Sequence, residues 1–131
     1  MNRRNCITVL EIFTLALYIV VNPIPVHSDA ENINTDKTLY KNGDTINIAA
    51  TVGEENSYEP VTVIIRDFNN KFIVLDTKIA DETGSFSMMI PVESKFSEKG
   101  MYSAQMYIDD VASDEIAYFD FSLDGSSVIH T

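Results

Sequence analysis

The sequence predicts an all-β fold, a sandwich of seven antiparallel strands in two sheets. The clearest strand is Gly100–Ile108, where Tyr102, Ala104, Met106 and Ile108 alternate with residues of the opposite face. A period of two places successive side chains on opposite faces of a strand. Turn residues recur about every ten residues, and no segment after residue 30 has a convincing helical period. Such spacing is typical of antiparallel sandwiches and barrels.

The first 30 residues have the composition of an export signal. Arg3 and Arg4 precede a mostly apolar run at residues 7–21, and prolines and small residues follow. This layout predicts a secretory signal peptide over residues 1–30, and therefore a secreted or cell-surface protein. The alternative is an uncleaved N-terminal anchor, although the run contains Glu11 and is shorter than the roughly twenty residues that span a bilayer.

The remaining chain is acidic and has no cysteine. The net charge of the whole sequence is −11, and its only cysteine, Cys6, lies in the predicted signal. A surface of this charge repels phosphate backbones and anionic lipid, so neither nucleic acid nor a membrane surface is an expected partner. A membrane contact would come only from an uncleaved N-terminal segment. Without disulfides, the hydrophobic core alone must hold the domain.

Seven strands follow the signal in the predicted domain, residues 31–124, and a flexible tail covers residues 125–131. The strand bounds are residues 31–35, 45–52, 61–67, 72–79, 85–92, 100–108 and 116–123. Besides the strand at 100–108, the predicted inward sets are Ile46, Ile48, Ala50 and Val52; Val61, Val63 and Ile65; Ile73, Leu75, Thr77 and Ile79; Phe86, Met88, Ile90 and Val92; and Ala117, Phe119, Phe121 and Leu123. The longer connections at 53–60 and 93–99 favour Greek-key crossings between two sheets over an up-and-down barrel.

Four segments together resemble a known family. Residues 40–48 (YKNGDTINI), 60–67 (PVTVIIRD), 81–86 (DETGSF) and 100–102 (GMY) occur in this order. They are similar to the immunoglobulin-like β-sandwich modules of the macroglobulin type that are found on exported prokaryotic surface proteins. The resemblance covers about residues 32–123 and implies an immunoglobulin-like Greek-key sandwich. It also implies that the Tyr102 hydroxyl bonds to nearby backbone in the preceding crossover.

Few residues suit catalysis or a redox metal. After the predicted signal the chain has no cysteine and a single histidine, His130, in the expected tail. A nucleophile needs a base beside it, and a blue-copper site needs two histidines and a cysteine. Met88 and Met106 fall on inward faces, where methionine is ordinary core filling. We therefore expect no enzymatic activity. A Cu(I) site made of Met88, Met89, Met101 and Met106 is the weaker of two metal hypotheses.

Calcium is the stronger ionic hypothesis. Asp109, Asp110, Asp114 and Glu115 all fall in one predicted inter-strand loop at residues 109–115. Hard cations take several oxygen ligands from such loops. The alternative function is thus an exported accessory protein that binds Ca²⁺ weakly through this loop, while the ordinary interpretation is a solvated acidic turn.

Outward side chains of the last two predicted strands suggest a binding face. Met101, Tyr107 and Tyr118 would lie on one surface if these strands pair, and aromatic residues at cross-strand positions pack with each other. The sequence therefore predicts a non-catalytic binding or structural module. Its expected partner is another surface or extracellular protein, or a glycan.

Overall fold

The computed structural model describes residues 31–129, which form two β-sheets containing eight strands. The strands are β1 (Asn32–Thr35), β2 (Leu39–Tyr40), β3 (Thr45–Thr51), β4 (Pro60–Arg66), β5 (Phe72–Ile79), β6 (Ser85–Pro91), β7 (Gly100–Ile108) and β8 (Val111–Phe121). The helical structure in this part of the chain is a single 3₁₀ turn, Glu54–Asn56. The predicted all-β class is confirmed.

The strand order creates a three-stranded sheet, β1-β3-β6, and a five-stranded sheet, β2-β8-β7-β4-β5. All neighbouring pairs are antiparallel except β2 and β8, which run parallel. The connections at residues 53–60 and 93–99 pass from the three-stranded to the five-stranded sheet, as predicted. The predicted pairing of the last two strands is also confirmed, because β7 and β8 are neighbours.

The core consists of the inward side chains of both sheets. The predicted inward sets of β3, β4, β6 and β7 are confirmed: all their members are buried except Ile108, which is partly buried and packs against the core. Aromatic rings fill one region of this core, where Tyr102 lies 5.4 Å from Phe96 and 5.7 Å from Phe121 between ring centroids. Buried aromatic pairs of this kind contribute about 0.5–1.5 kcal/mol beyond their area.

Residues 31–129 contain eight strands and not the predicted seven, because Leu39–Tyr40 forms an additional strand. It pairs parallel with Asp120 and Phe121 of the last strand. Two residues are too few to show any alternation, so this strand has no sequence signal. Tyr40 is fully buried, and it is this burial that fixes the short strand to the sheet.

The predicted loop at 109–115 is also wrong. Asp109 and Asp110 form a two-residue turn with φ values of 51° and 67°, and β8 begins at Val111. Positive φ at both central residues is the signature of the tight hairpin turn whose twist matches paired strands, and Asp tolerates it. The register shift between Gln105 and Tyr107 absorbs the extra residues on β8. The polarity of this stretch made it resemble a loop.

The predicted phase of β5 is wrong beyond Ile73. Leu75 is 49% exposed and Ile79 is 66% exposed, although both were expected to face the core. A bulge between Ile65 and Arg66 shifts the register, so that Val74 lies opposite Ile65. The alternate positions of the strand therefore point outward. The predicted inward set of β8 holds except for Leu123, which follows the end of the strand and is 61% exposed.

The predicted signal or anchor at residues 1–30 lies outside the described residues, as does the end of the predicted tail. Within residues 31–129, no helix is long and apolar enough to cross a membrane. Near the end of this part, the Ser122 hydroxyl donates to the Ser126 carbonyl at 2.8 Å and the Ser126 N–H donates to Asp124 at 3.0 Å.

Candidate binding face

The outer surface of the five-stranded sheet carries rows of side chains that the strand register aligns. One row runs from Leu75 on β5 through Ile64 and Gln105 to Ile116 on β8. The next row runs from Arg66 through Ser103 to Tyr118. Cross-strand neighbours of this kind lie close enough to form one continuous surface.

A shallow depression of about 270 Å³ lies on this surface beside the β4–β5 turn. It is lined by Arg66, Asp67, Phe68, Asn70, Met101, Tyr102, Ser103, Gln105, Ile116 and Tyr118. Met101 is 40% exposed and Tyr118 is 56% exposed, so both present apolar area to the solvent. Two of the three predicted binding residues therefore line the same depression.

The third predicted residue, Tyr107, lies at the side of this depression and is half-buried. The Arg66 guanidinium carbon lies 5.7 Å from the centre of the Tyr107 ring, within the range of a cation–π contact. The Tyr107 hydroxyl lies 3.4 Å from the Gln105 side chain. Arg66 thus connects Tyr107 to the depression. We call Arg66, Phe68, Met101, Gln105, Tyr107 and Tyr118 the aromatic face.

Arg66 brings the one guanidinium of residues 31–129 to this surface. Within that range, its charge forms no ion pair, since the salt bridges there join Lys37 and Lys41 to Asp44. The adjacent Asp67 carboxylate is 9% exposed and accepts the N–H groups of the β4–β5 turn, those of Asn69 and Lys71, both at 2.9 Å. Asp67 therefore holds the turn and leaves the Arg66 charge open to a ligand.

Phe68 reaches the face because a glycine lies beneath it. A Cβ atom added to Gly100 would lie 2.5 Å from the Phe68 ring, closer than such contacts occur. The missing side chain lets the ring pack directly on the start of β7, while 49% of Phe68 stays exposed. Sequence reasoning missed both Phe68 and Arg66. Phe68 falls in a turn with no periodicity, and Arg66 follows a β-branched run whose core function dominated its interpretation.

A second, larger depression of about 490 Å³ lies on the outer surface of the three-stranded sheet. Its lining includes the small or polar side chains of Asn34, Asn47, Ala49 and Ser87, with Met89 as its exposed large apolar residue. We consider the smaller depression the better site. Affinity at interfaces comes from a few aromatic and arginine anchors, and this larger surface has none.

The four acidic residues predicted to bind calcium do not share a loop. Asp109 and Asp110 form the β7–β8 turn, whereas Asp114 and Glu115 belong to β8. Among residues 31–129, no group of three or more His, Cys, Asp or Glu side chains could hold a metal ion. The four carboxylates thus form part of an acidic, exposed hairpin end.

The four methionines of the weaker Cu(I) hypothesis lie in different parts of the sandwich. Met88 and Met106 are buried in the core, as predicted, whereas Met89 and Met101 are exposed. Met101 lies on the outer surface of the five-stranded sheet and Met89 on that of the three-stranded sheet. His130, the histidine weighed as a catalytic base, lies outside the described residues.

The structure raises the pKa values of two buried tyrosines, Tyr40 and Tyr102. The Tyr40 hydroxyl donates to Asp36, whose carboxylate also accepts the backbone N–H of Asn47 at 3.1 Å and its side-chain amide at 3.0 Å. These bonds, the one from Tyr40 first, lower the pKa of Asp36 to about 2. Burial and the bond to Asp36 raise the pKa of Tyr40 to about 12. Burial likewise raises the pKa of Tyr102.

No protein-family model matches this chain, and no curated protein matches it either. What the molecule does must therefore be inferred from its own surface.

Proposed function

We propose that this protein is a non-catalytic immunoglobulin-like binding module, secreted or held at the cell surface, that contacts another protein through the aromatic face. The observation that carries the proposal is the composition of this face. Phe68, Met101 and Tyr118 line one depression with Arg66. The Arg66 guanidinium also contacts the Tyr107 ring, in a chain with a net charge of −11. Interface cores are depleted of charge and enriched in aromatic residues, methionine and arginine.

The arrangement of strands supports the immunoglobulin-like part of the proposal. Both two-strand hairpins, β4–β5 and β7–β8, belong to the five-stranded sheet, and the other connections cross between sheets. The short β2 pairs parallel with β8 and forms an edge of the five-stranded sheet, which also contains both hairpins. The Tyr102 hydroxyl donates to the Glu98 carbonyl at 2.7 Å, which is the backbone bond that the resemblance implies.

The chemistry of the face indicates a partner with a carboxylate among apolar groups. The Arg66 guanidinium offers a planar set of donors that matches a carboxylate in two parallel bonds. The Ser103 hydroxyl lines the same depression and adds a neutral hydrogen-bonding group. The Gln105 amide also lines it, but this amide already donates to the Ser113 carbonyl at 2.7 Å. Phe68, Met101 and Tyr118 would bury apolar area around the ion pair between Arg66 and the partner's carboxylate. This burial excludes water and strengthens the ion pair.

A binding comparison on the native cell surface tests the proposal. The wild-type chain and the double variant Met101→Ala/Tyr118→Ala are each used to capture a partner, which is then identified and titrated in purified form. We expect the double variant to weaken binding of the purified partner at least about tenfold, because aromatic anchors contribute about 2 kcal/mol or more.

The matched control is Ser87→Ala/Met89→Ala on the outer surface of the three-stranded sheet, which should leave binding unchanged. If the control weakens binding and the aromatic-face variant does not, the proposed surface is wrong. If the purified partner is a glycan, the proposed binding surface is retained and the proposed class of partner, a protein, is wrong. Turnover of a substrate by the purified protein would contradict the non-catalytic part of the proposal.

A further inference from the structure

The five-stranded sheet has two edge strands, the two-residue β2 and the eight-residue β5. The neighbour of β5 on one side is β4, and the other side has no strand of the same sheet. β6 of the three-stranded sheet approaches β5, and Lys78 lines the larger depression together with Ser87 and Met89. Unpaired edges are templates for another strand, so proteins commonly block them. The groups that β5 presents along its free edge therefore determine which strand can pair with it.

The backbone groups that face the free edge belong to Leu75, Thr77 and Ile79. The Ala80 N–H donates to Glu59 at 3.0 Å, which directs the even-numbered residues of the strand towards β4. Antiparallel bonds alternate, so the odd-numbered residues direct their N–H and C=O groups away from β4. In agreement with this, the Thr77 N–H donates at 2.8 Å to the side chain of Asp76 instead of to β4.

The side chains along this edge are complementary to a second copy of themselves. If two β5 strands pair antiparallel with Thr77 opposite Thr77 of the other copy, Leu75 lies opposite Ile79, and Asp76 lies opposite Lys78. Each of these pairs occurs twice because the arrangement has two-fold symmetry. Leu75 and Ile79 are exposed large apolar residues in the single chain.

Charge complementarity favours this occupant over an unrelated strand. Within residues 31–129, neither Asp76 nor Lys78 forms an ion pair, and the two side chains have opposite charge. In the symmetric register, each Asp76 exchanges the Thr77 N–H for the Lys78 ammonium of the other copy, and the Thr77 N–H then donates to the opposite Thr77 carbonyl. No group is left without a partner by this exchange.

We propose that two copies of this chain associate through their β5 strands, in an antiparallel register centred on Thr77, to form one continuous ten-stranded sheet. Pairing along one strand buries less than the roughly 1,600 Å² of a standard interface, so the dimer is weak and depends on concentration. In the single chain, Asp76 covers the central N–H of the edge and limits pairing with other strands. This inference is independent of the partner of the aromatic face.

The first test is a symmetric cross-link in the full chain carrying Cys6→Ser. Directly opposite residues of a hydrogen-bonded pair have Cα atoms about 5.5 Å apart, within the range that a disulfide spans. Thr77→Cys should therefore form a covalent dimer under mild oxidation, whereas Thr45→Cys, exposed on the other sheet, should remain monomeric. An equal rate of cross-linking at both positions, or none at position 77, would overturn the proposal.

The second test is a charge exchange measured by sedimentation equilibrium of the full chain. Asp76→Lys alone and Lys78→Asp alone place like charges opposite each other twice, and each should weaken the dimer about tenfold. The double variant Asp76→Lys/Lys78→Asp restores opposite charges and should recover the wild-type dissociation constant. A wild-type protein that stays monomeric at every concentration, or a dimer that all three variants leave unchanged, would overturn it. Circular dichroism confirms that each variant is folded.

Discussion

The Tyr102 hydroxyl donates a hydrogen bond to the Glu98 carbonyl at 2.7 Å, joining β7, the first strand of the β7–β8 hairpin, to the crossover that precedes it. Tyr102 is 1% exposed, so its ring is shielded from water, while its hydroxyl reaches the exposed residue Glu98. The bond fixes residues 93–99 where the chain passes from one sheet to the other. It also places Gly100, and with it the Phe68 ring of the aromatic face.

Removing this hydroxyl should destabilise the protein without changing its core volume. Tyr102→Phe leaves the Glu98 carbonyl without its donor, and we expect a loss of about 1–3 kcal/mol in the free energy of unfolding. Tyr118→Phe is the matched control, since Tyr118 is 56% exposed, and should change stability by less than about 0.5 kcal/mol. Urea denaturation measures both. Equal losses in the free energy of unfolding for the two variants would show that the bond from Tyr102 to Glu98 does not stabilise the protein.

The centre of the core should respond strongly to a cavity. Ile65 is fully buried, and Ile65→Ala should cost about 2–5 kcal/mol. Ile129→Ala removes the same atoms from a side chain that is 84% exposed and should be close to neutral. The comparison is made by thermal and urea unfolding. A neutral Ile65→Ala would mean that the inward phase of β4 is wrong.

Two glycines with similar backbone angles should differ sharply in tolerance. Gly84 has a φ of +80°, and a Cβ atom there would lie 2.0 Å from the Gly53 carbonyl oxygen. Gly43 has a φ of +94° and nothing within 4 Å of that position. Gly43→Ala should therefore cost only the backbone strain, about 1–2 kcal/mol. Gly84→Ala adds a backbone clash and should cost clearly more. Similar midpoints of unfolding for the two variants would contradict this close approach.

The pH dependence of stability should contain a contribution from Asp36. Its folded-state pKa is lowered from 3.8 to about 2, so the stabilisation is present above pH 4 and is lost as the pH falls towards 2. Tyr40→Phe removes the largest cause of the shift. Carbon-13 NMR titration of the carboxyl group should give a midpoint near 2 in the wild type and a higher one in the variant. A wild-type midpoint near 3.8 would disprove the bond to Tyr40.

Sequence reasoning predicted the parts of this fold that depend on alternation. Val61, Val63 and Ile65 are buried because a strand in the middle of a sheet must place one face in the core. The same argument failed at Leu75, because an edge strand is only partly covered and a bulge changes its phase. The predicted loop that begins at Asp109 and Asp110 was wrong for a different reason, because a polar hairpin end and a longer loop have the same composition.

The candidate site was predicted only in part for a related reason. Alternation placed Met101, Tyr107 and Tyr118 on an outward face, and the pairing of β7 with β8 confirmed that they share one surface. Arg66 and Phe68 come from β4 and its turn, which the register brings beside β7. Which strands become neighbours depends on long-range pairing, and a single sequence does not reveal it.

The most direct test of the binding face is titration of the purified partner against Arg66→Gln, Met101→Ala/Tyr118→Ala and Ser87→Ala/Met89→Ala by calorimetry. We expect the first two to weaken binding at least about tenfold, with the Arg66 variant losing its favourable enthalpy of ion pairing, while the third matches the wild type. Wild-type affinity in both aromatic-face variants, with all three proteins folded and equally stable, would contradict the assignment of this face.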